Sequence, residues 1–212
     1  MNKKKIESNI TGVILSGGKS SRMDFNKSLL KIDNIFLIEH IYNILSSSFD
    51  KIIISTNEPK LYSFINVEKI EDLIKGFGPL SGIHSALTYA KTDKIFVVPC
   101  DMPFIIPDII NYLIKFDTTE EIVLPIAEGR IQYLFGIYSK RILNLAEQIL
   151  RANHEAKLNN RDIKKSAVSL WNFIERVGAE IVDVEEKIFY MKDLFFNINT
   201  PKDWEYAIEK II

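Results

Sequence analysis

An apolar run that stops on two glycines does most to limit what this chain can become. Val13-Ile14-Leu15-Ser16 leads into Gly17-Gly18, and a polar loop carrying Lys19, Arg22 and Lys27 follows before a second apolar run starts at Leu29. A buried strand ending in a glycine turn presents backbone N–H groups that a ligand can approach closely, because glycine has no Cβ. With three cations beside them, those groups suit a polyphosphate. Two familiar versions of such a loop are excluded. In a P-loop, Gly18-Lys19-Ser20 would form the end, but Val13 stands where the first glycine belongs. Gly12 and Gly17 have the right separation, yet Gly18 follows where lysine is required. The dinucleotide pattern G-x-G-x-x-G is also absent. An ordinary glycine turn with solvated lysines is the plain alternative.

The rest of the chain decides what that loop is attached to. Apolar runs at 10–16, 51–55, 67–70 and 95–98 read as strands. Between them, helix-period segments cover 36–45 and 80–90, and 59–65 reads as a short helix. Pro107 opens a helix over 108–116, two further strands follow at 122–126 and 133–138, and 142–150 is a helix. The stretch from Ala152 to Ser166 is polar and basic and reads as a long loop. A helix over 168–177, a strand over 179–184 and a last helix from Pro201 to Ile211 complete the chain. Strands alternating with helices predict an α/β fold with a mostly parallel sheet covered on both faces. At 212 residues, one domain is expected.

Composition excludes several classes. With 27 basic against 28 acidic residues the net charge is -1, which gives no reason to expect a nucleic-acid partner. The single cysteine, Cys100, rules out an internal disulfide and fits a reducing compartment. No apolar run reaches signal-peptide or membrane-spanning length, so a soluble cytoplasmic protein is expected, with no membrane partner.

In open α/β sheets, ligands sit at the carboxyl ends of strands, and polar residues fall there three times: the glycine loop, Asn57 and Asp101. Asp101 follows four apolar residues and stands between Pro99 and Pro103, so its carboxylate is held at a strand end. One rigid carboxylate opposite a phosphate loop suits Mg²⁺, which completes its shell with waters and phosphate oxygens. Lys27 is a point charge for phosphate. Asn57 and Asp72 offer an amide and a carboxylate to a purine edge, or are turn residues. Gly78-Pro79-Leu80-Ser81-Gly82 brings backbone close to a ligand or simply starts a helix. Asn197-Ile198-Asn199-Thr200-Pro201 sets two amides on one side of an extended segment, with Thr200 as a helix N-cap. His40, His84 and His154 are not spaced as metal ligands, and no Ser/His/Asp or Cys/His set supports nucleophilic catalysis. Cys100, Trp171 and Trp204 read as packing residues.

Taken together, Leu15-Ser16-Gly17-Gly18, Arg22-Met23, Lys27, Gly78-Pro79-Leu80-Ser81-Gly82, Cys100-Asp101-Met102-Pro103 and Asn197-Ile198-Asn199-Thr200-Pro201 resemble the molybdenum cofactor guanylyltransferases. The motifs keep family order from Val13 to the last helix. The resemblance implies a Rossmann-like, three-layer α/β/α nucleotidyltransferase fold. It also implies an enzyme that transfers GMP from GTP to molybdopterin with Mg²⁺ and releases pyrophosphate. Carried over by position, Leu15, Ser16, Gly17, Gly18, Gly78, Pro79 and Leu80 meet the nucleotide. Lys27 meets its phosphates and, with Arg22, acts in catalysis. Asn57 and Asp72 meet the guanine, Asp101 holds Mg²⁺ and contacts GTP, and Asn197 and Asn199 lie towards molybdopterin.

A nucleotide half over residues 10–101 and an acceptor half over 102–212 follow from the same resemblance. Proteins that deliver the cofactor and molybdoenzymes that receive it are its implied partners. The chain departs from the family pattern at Asp24, where glycine is usual, and at Asn26, where aspartate is common. The competing expectations are a cytidylyltransferase or nucleotide-sugar enzyme of the same fold, and a nucleotide-sensing module without turnover.

Overall fold

The computed structural model describes residues 9–17, 27–32, 34–161 and 168–211. Its centre is β1 (Ile10–Leu15), the apolar run before the glycines. Val13 and Ile14 are both fully buried yet belong to different core clusters, so successive side chains feed opposite faces of the sheet. That two-sided burial is why the run is apolar without alternation. A short hairpin, β2 (Lys31–Ile32) with β3 (Ile35–Phe36), turns through Asn34 at φ 68 and was not foreseen from the sequence, being only two residues a side. Then α1 (Leu37–Ser46), β4 (Ile52–Ser55) and β5 (Glu68–Ile70) follow, the last two added in parallel on one side of β1.

Across β1 the order reverses. α2 (Pro79–Tyr89) leads into β6 (Lys94–Pro99), which pairs in parallel with the other side of β1. α3 (Pro107–Ile114) connects to β7 (Ile122–Ala127), which turns back on itself as β8 (Arg130–Ile131). β9 (Gly136–Ser139) wedges antiparallel between β6 and β7, and α4 (Leu143–Leu158), α5 (Leu170–Val177), β10 (Glu180–Asp183) and α6 (Pro201–Ile211) complete the chain. The sheet order is β10-β7-β9-β6-β1-β4-β5, mostly parallel and flanked by helices, as expected. Residues of α1 and α3 pack in one core cluster, and those of α2, α4 and α5 in the other. A third, small cluster joins α6 to α1 through Ile198, Ala207, Leu37 and Trp204.

Three expectations are corrected. The strand over 133–138 begins only at Gly136 and runs antiparallel, because 133–135 is a turn closed by Phe135 N–H donating to Gln132 O at 3.0 Å. The region from Ala152 is not loop at its start: α4 continues to Leu158. Its polar residues lie on a solvated helix face, and the segment contains good helix formers in Glu155, Ala156, Lys157 and Leu158. Glu147 pairs with Arg151 one turn on. The segment around Pro59 is a 3-10 turn, Pro59–Tyr62, shorter than expected. Among the described residues no helix is long and apolar enough to cross a membrane.

Candidate active site

The register of the central strands sets the site. Leu15 stands level with Ser55 on one side and Pro99 on the other, so β1, β4 and β6 end together. The ladder continues one step further, with Ser16 N–H donating to Ser55 O at 2.9 Å and Cys100 N–H to Leu15 O at 3.1 Å. The glycine loop, Asn57 and Asp101 therefore leave one rim of the sheet, at the point where strand order reverses. This is the crevice that open α/β sheets use for ligands.

At the middle of that rim lies Lys27, 3.8 Å from the Asp101 carboxylate and donating to Asn199 Oδ1 at 3.0 Å. Three motifs far apart in the chain meet here. The final segment is tied in by Ile198 N–H donating to Asp101 O at 2.9 Å, with the Ile198 side chain wholly buried. Asn197 and Asn199 flank that anchor. Asn199 is held further because Asp203 accepts from the N–H groups of Asn199 and Thr200, at 2.8 and 2.7 Å, while Thr200 Oγ1 accepts from Asp203 N–H. That reciprocal cap is why Thr200-Pro201 starts α6. Asn197 does not converge on Lys27; its amide donates to Phe195 O.

Burial raises the pKa of Asp101 above the ordinary carboxylate value, and the Lys27 ammonium opposes the shift. The neighbouring Cys100 thiol is pushed up to about 12, by burial and then by the Asp101 charge. A thiol held neutral in this way is no nucleophile. Asp101 and Asn199 already direct oxygens at a cation, the ammonium of Lys27. That donor set, one carboxylate and one amide oxygen, fits a hard divalent ion that brings waters and phosphate oxygens with it. Among the described residues there is no cluster of three or more carboxylate, histidine or cysteine ligands that would suit a metal held by protein alone.

On the β5 side, Asn57 and Asp72 form a reciprocal pair: the amide donates to Asp72 Oδ2 at 2.8 Å, and Asp72 N–H donates to Asn57 Oδ1 at 3.3 Å. Burial raises the Asp72 pKa, and the Asn57 bond lowers it again in part. Gly78 begins α2 with φ 64 and ψ -148, a conformation that favours glycine. One turn further, a Cβ on Gly82 would stand 3.1 Å from Leu15 Cδ2 and 3.2 Å from Ser55 Oγ, so glycine lets α2 lie against the strand ends without pushing either side chain aside. The Leu80 side chain is fully buried in the core cluster with Val13 and Ile53, so what it can offer a ligand is its backbone. Gly18 and Arg22, with Asp24 and Asn26, lie outside the described residues.

Sequence reasoning missed Tyr62. Its ring is buried and its hydroxyl lies 2.7 Å from Ser16 Oγ and 2.8 Å from Ser28 Oγ, which joins the two ends of the glycine loop. Nothing in the polar turn around it marks that role. His40, expected to be structural, is so: its Nε2 bonds to Pro103 O at 2.9 Å and ties α1 to the segment after Asp101. A cavity of about 660 Å³ lies at the opposite end of the sheet beside Lys51, Tyr89 and Lys91 and contains none of the expected site residues. A smaller cavity, about 290 Å³, includes Asn197 and Asn199.

Residues 12–166 match the family model described as the MobA-like NTP transferase domain. A Clostridium perfringens protein named probable molybdenum cofactor guanylyltransferase is 40% identical over 203 residues, spanning 94% of this chain and 96% of that one. A protein of the same name from Pelotomaculum thermopropionicum is 36% identical, over 91% of this chain and 89% of its own. Among solved structures, the molybdopterin-guanine dinucleotide biosynthesis protein A of Archaeoglobus fulgidus superposes with a TM-score of 0.75 at 25% identity, covering 94% of this chain and 97% of that one.

Proposed function

The chain belongs to the MobA-like NTP transferase family, with molybdenum cofactor guanylyltransferases as full-length relatives, and from that premise we propose that it transfers GMP from GTP to the terminal phosphate of molybdopterin. The observation that carries the proposal is the meeting of Lys27, Asp101 and Asn199 at the switch point of the sheet. The nucleotide enters over residues 10–101, with guanine towards Asn57 and Asp72 and the phosphates over Leu15, Ser16, Gly17 and the backbone at Gly78-Pro79. The acceptor comes from the 102–212 side, past Asn197 and Asn199.

An oxygen of the acceptor phosphate attacks the α-phosphorus in line. A new P–O bond forms as the bond to the β-phosphate oxygen breaks, and the electron pair leaves with pyrophosphate. The attacking oxygen is already anionic, so no residue has to remove a proton. Lys27 places its charge beside the reacting phosphates, and Asp101 and Asn199 fix the position of that charge. Asp101 and Asn199 would also hold Mg²⁺, which when bound neutralises charge on the α-phosphate and the leaving group. Catalysis is then positioning plus electrostatics. Proteins that deliver molybdopterin and molybdoenzymes that receive the product are the expected partners. Pyrophosphate release with GTP, Mg²⁺ and molybdopterin, and not with CTP, is the expected outcome. Release with CTP in place of GTP would move the activity to cytidylyl transfer, and nucleotide binding without release would make the chain a sensor.

A further inference from the structure

The cavity of about 290 Å³ beside Asn199 lies between the segment before α6 and the β7–β8 hairpin. Asn199 belongs both to this cavity and to the reaction centre, since its Oδ1 accepts from Lys27. Glu128 and Gly129 make a two-residue turn with φ of 52 and 67, the left-handed pair that a tight hairpin requires. The turn sets Arg130 opposite Ala127 and on the cavity wall.

Three carboxylates line the same cavity, and each is engaged elsewhere. Glu128 accepts from the Tyr190 hydroxyl at 3.4 Å. Asp193 accepts from the Tyr206 hydroxyl at 2.6 Å and pairs with Lys210 at 3.5 Å. Asp203 is committed to capping α6. Arg130 is the one cation among the lining residues, and its guanidinium has no hydrogen bond or ion pair with any described residue.

An exposed arginine on a hairpin is usually just solvated. Here the reaction supplies a reason for more. Two phosphate groups must be brought together, and their repulsion at contact has to be offset on both sides. Lys27 serves the boundary, while the acceptor side has no other described cation in its cavity. We propose that Arg130 binds the phosphate of the acceptor through its planar fork of donors, so that the β7–β8 hairpin sets affinity for the second substrate. This rests on the guanylyl-transfer reading above.

The test is a titration of molybdopterin at saturating GTP and Mg²⁺, with wild-type protein, Arg130→Ala and Arg130→Lys. Loss of a charge-assisted bidentate contact predicts an acceptor KM raised roughly 10- to 100-fold in Arg130→Ala. Arg130→Lys should recover part of it, because a lysine keeps the charge without the fork. Direct GTP affinity should stay within about twofold in both. An acceptor KM that stays near wild type in Arg130→Ala, or a GTP affinity that falls by the same factor, overturns the proposal. Equilibrium binding of molybdopterin to the same three proteins gives a separate readout. If wild type binds but never turns over, the activity reading fails, while weaker binding to Arg130→Ala still supports the role of Arg130.

Discussion

The two sides of the crevice are built differently. On the proposed nucleotide side four candidate residues sit within two positions of the end of a parallel strand: Ser16 after β1, Asn57 after β4, Asp72 after β5 and Asp101 after β6. On the acceptor side the central strand, β9, runs antiparallel, and the groups facing the cavity come from a two-residue hairpin turn and the segment before α6. The parallel side holds its polar groups by backbone architecture. The other holds them by packing, with Ile198 buried and hydrogen-bonded to Asp101 as its pin. Residues fixed by strand ends recur in a predictable place. Residues fixed by packing have to be found in the fold.

If the crevice has two sides with one seam, substitutions should separate accordingly. The largest effect belongs to the seam. Asp101→Ala should lower turnover by about 10²- to 10³-fold, the cost of losing the carboxylate that holds a preorganised positive charge at the reacting phosphates. Steady-state kinetics that show near-normal kcat would remove Asp101 from the mechanism. Next comes Asp72→Ala, which should raise the KM for GTP by roughly tenfold or more while leaving the acceptor KM alone. Equal movement of both constants would break the division into sides.

Tyr62→Phe is expected to act on the nucleotide side from beneath. It takes one buried hydrogen-bond partner from each of the Ser16 and Ser28 hydroxyls, at a cost of about 1 kcal/mol. Differential scanning calorimetry should show that as a drop of roughly 2–4 °C for each kcal/mol, and KM for GTP should rise as the ends of the glycine loop loosen. A normal melting temperature would mean that the two hydroxyls find other partners.

The smallest effect is a pH signature. Burial raises the Asp101 pKa, so the fold disfavours its charge. Between the ordinary and the raised value the folded protein holds a proton that the unfolded chain has lost, and stability falls as pH rises through that window. Asp101→Asn should therefore melt at the same temperature as wild type or slightly above it at pH 7, with the gap closing as pH drops through the raised value. A large loss of stability at pH 7 would mean that the Lys27 pairing outweighs the burial.

Much of this was legible in the sequence because parallel strands announce themselves. Val13-Ile14-Leu15, Ile52-Ile53-Ile54 and Phe96-Val97-Val98 are apolar runs that end on polar residues, and the sheet places those ends on one rim. The contact between Lys27 and Asn199 spans 172 residues and has no local signature; only motif order hinted at it. Polarity misled over the end of α4, where the polar residues of a solvated helix face read as loop. The burial of the Leu80 side chain, inside a motif read for binding, is visible only in the fold. The role of Tyr62 depends on a hydroxyl reaching two serines 34 and 46 residues away, which no spacing rule contains.

The central claim is that a GMP unit crosses from one side of the crevice to the other. GTP labelled at the α-phosphate and GTP labelled at the γ-phosphate, each incubated with Mg²⁺, molybdopterin and the protein, test it directly. The α-label is expected in a dinucleotide product and the γ-label in pyrophosphate. A γ-label found on the acceptor would mean phosphoryl transfer in place of nucleotidyl transfer, and would contradict the account.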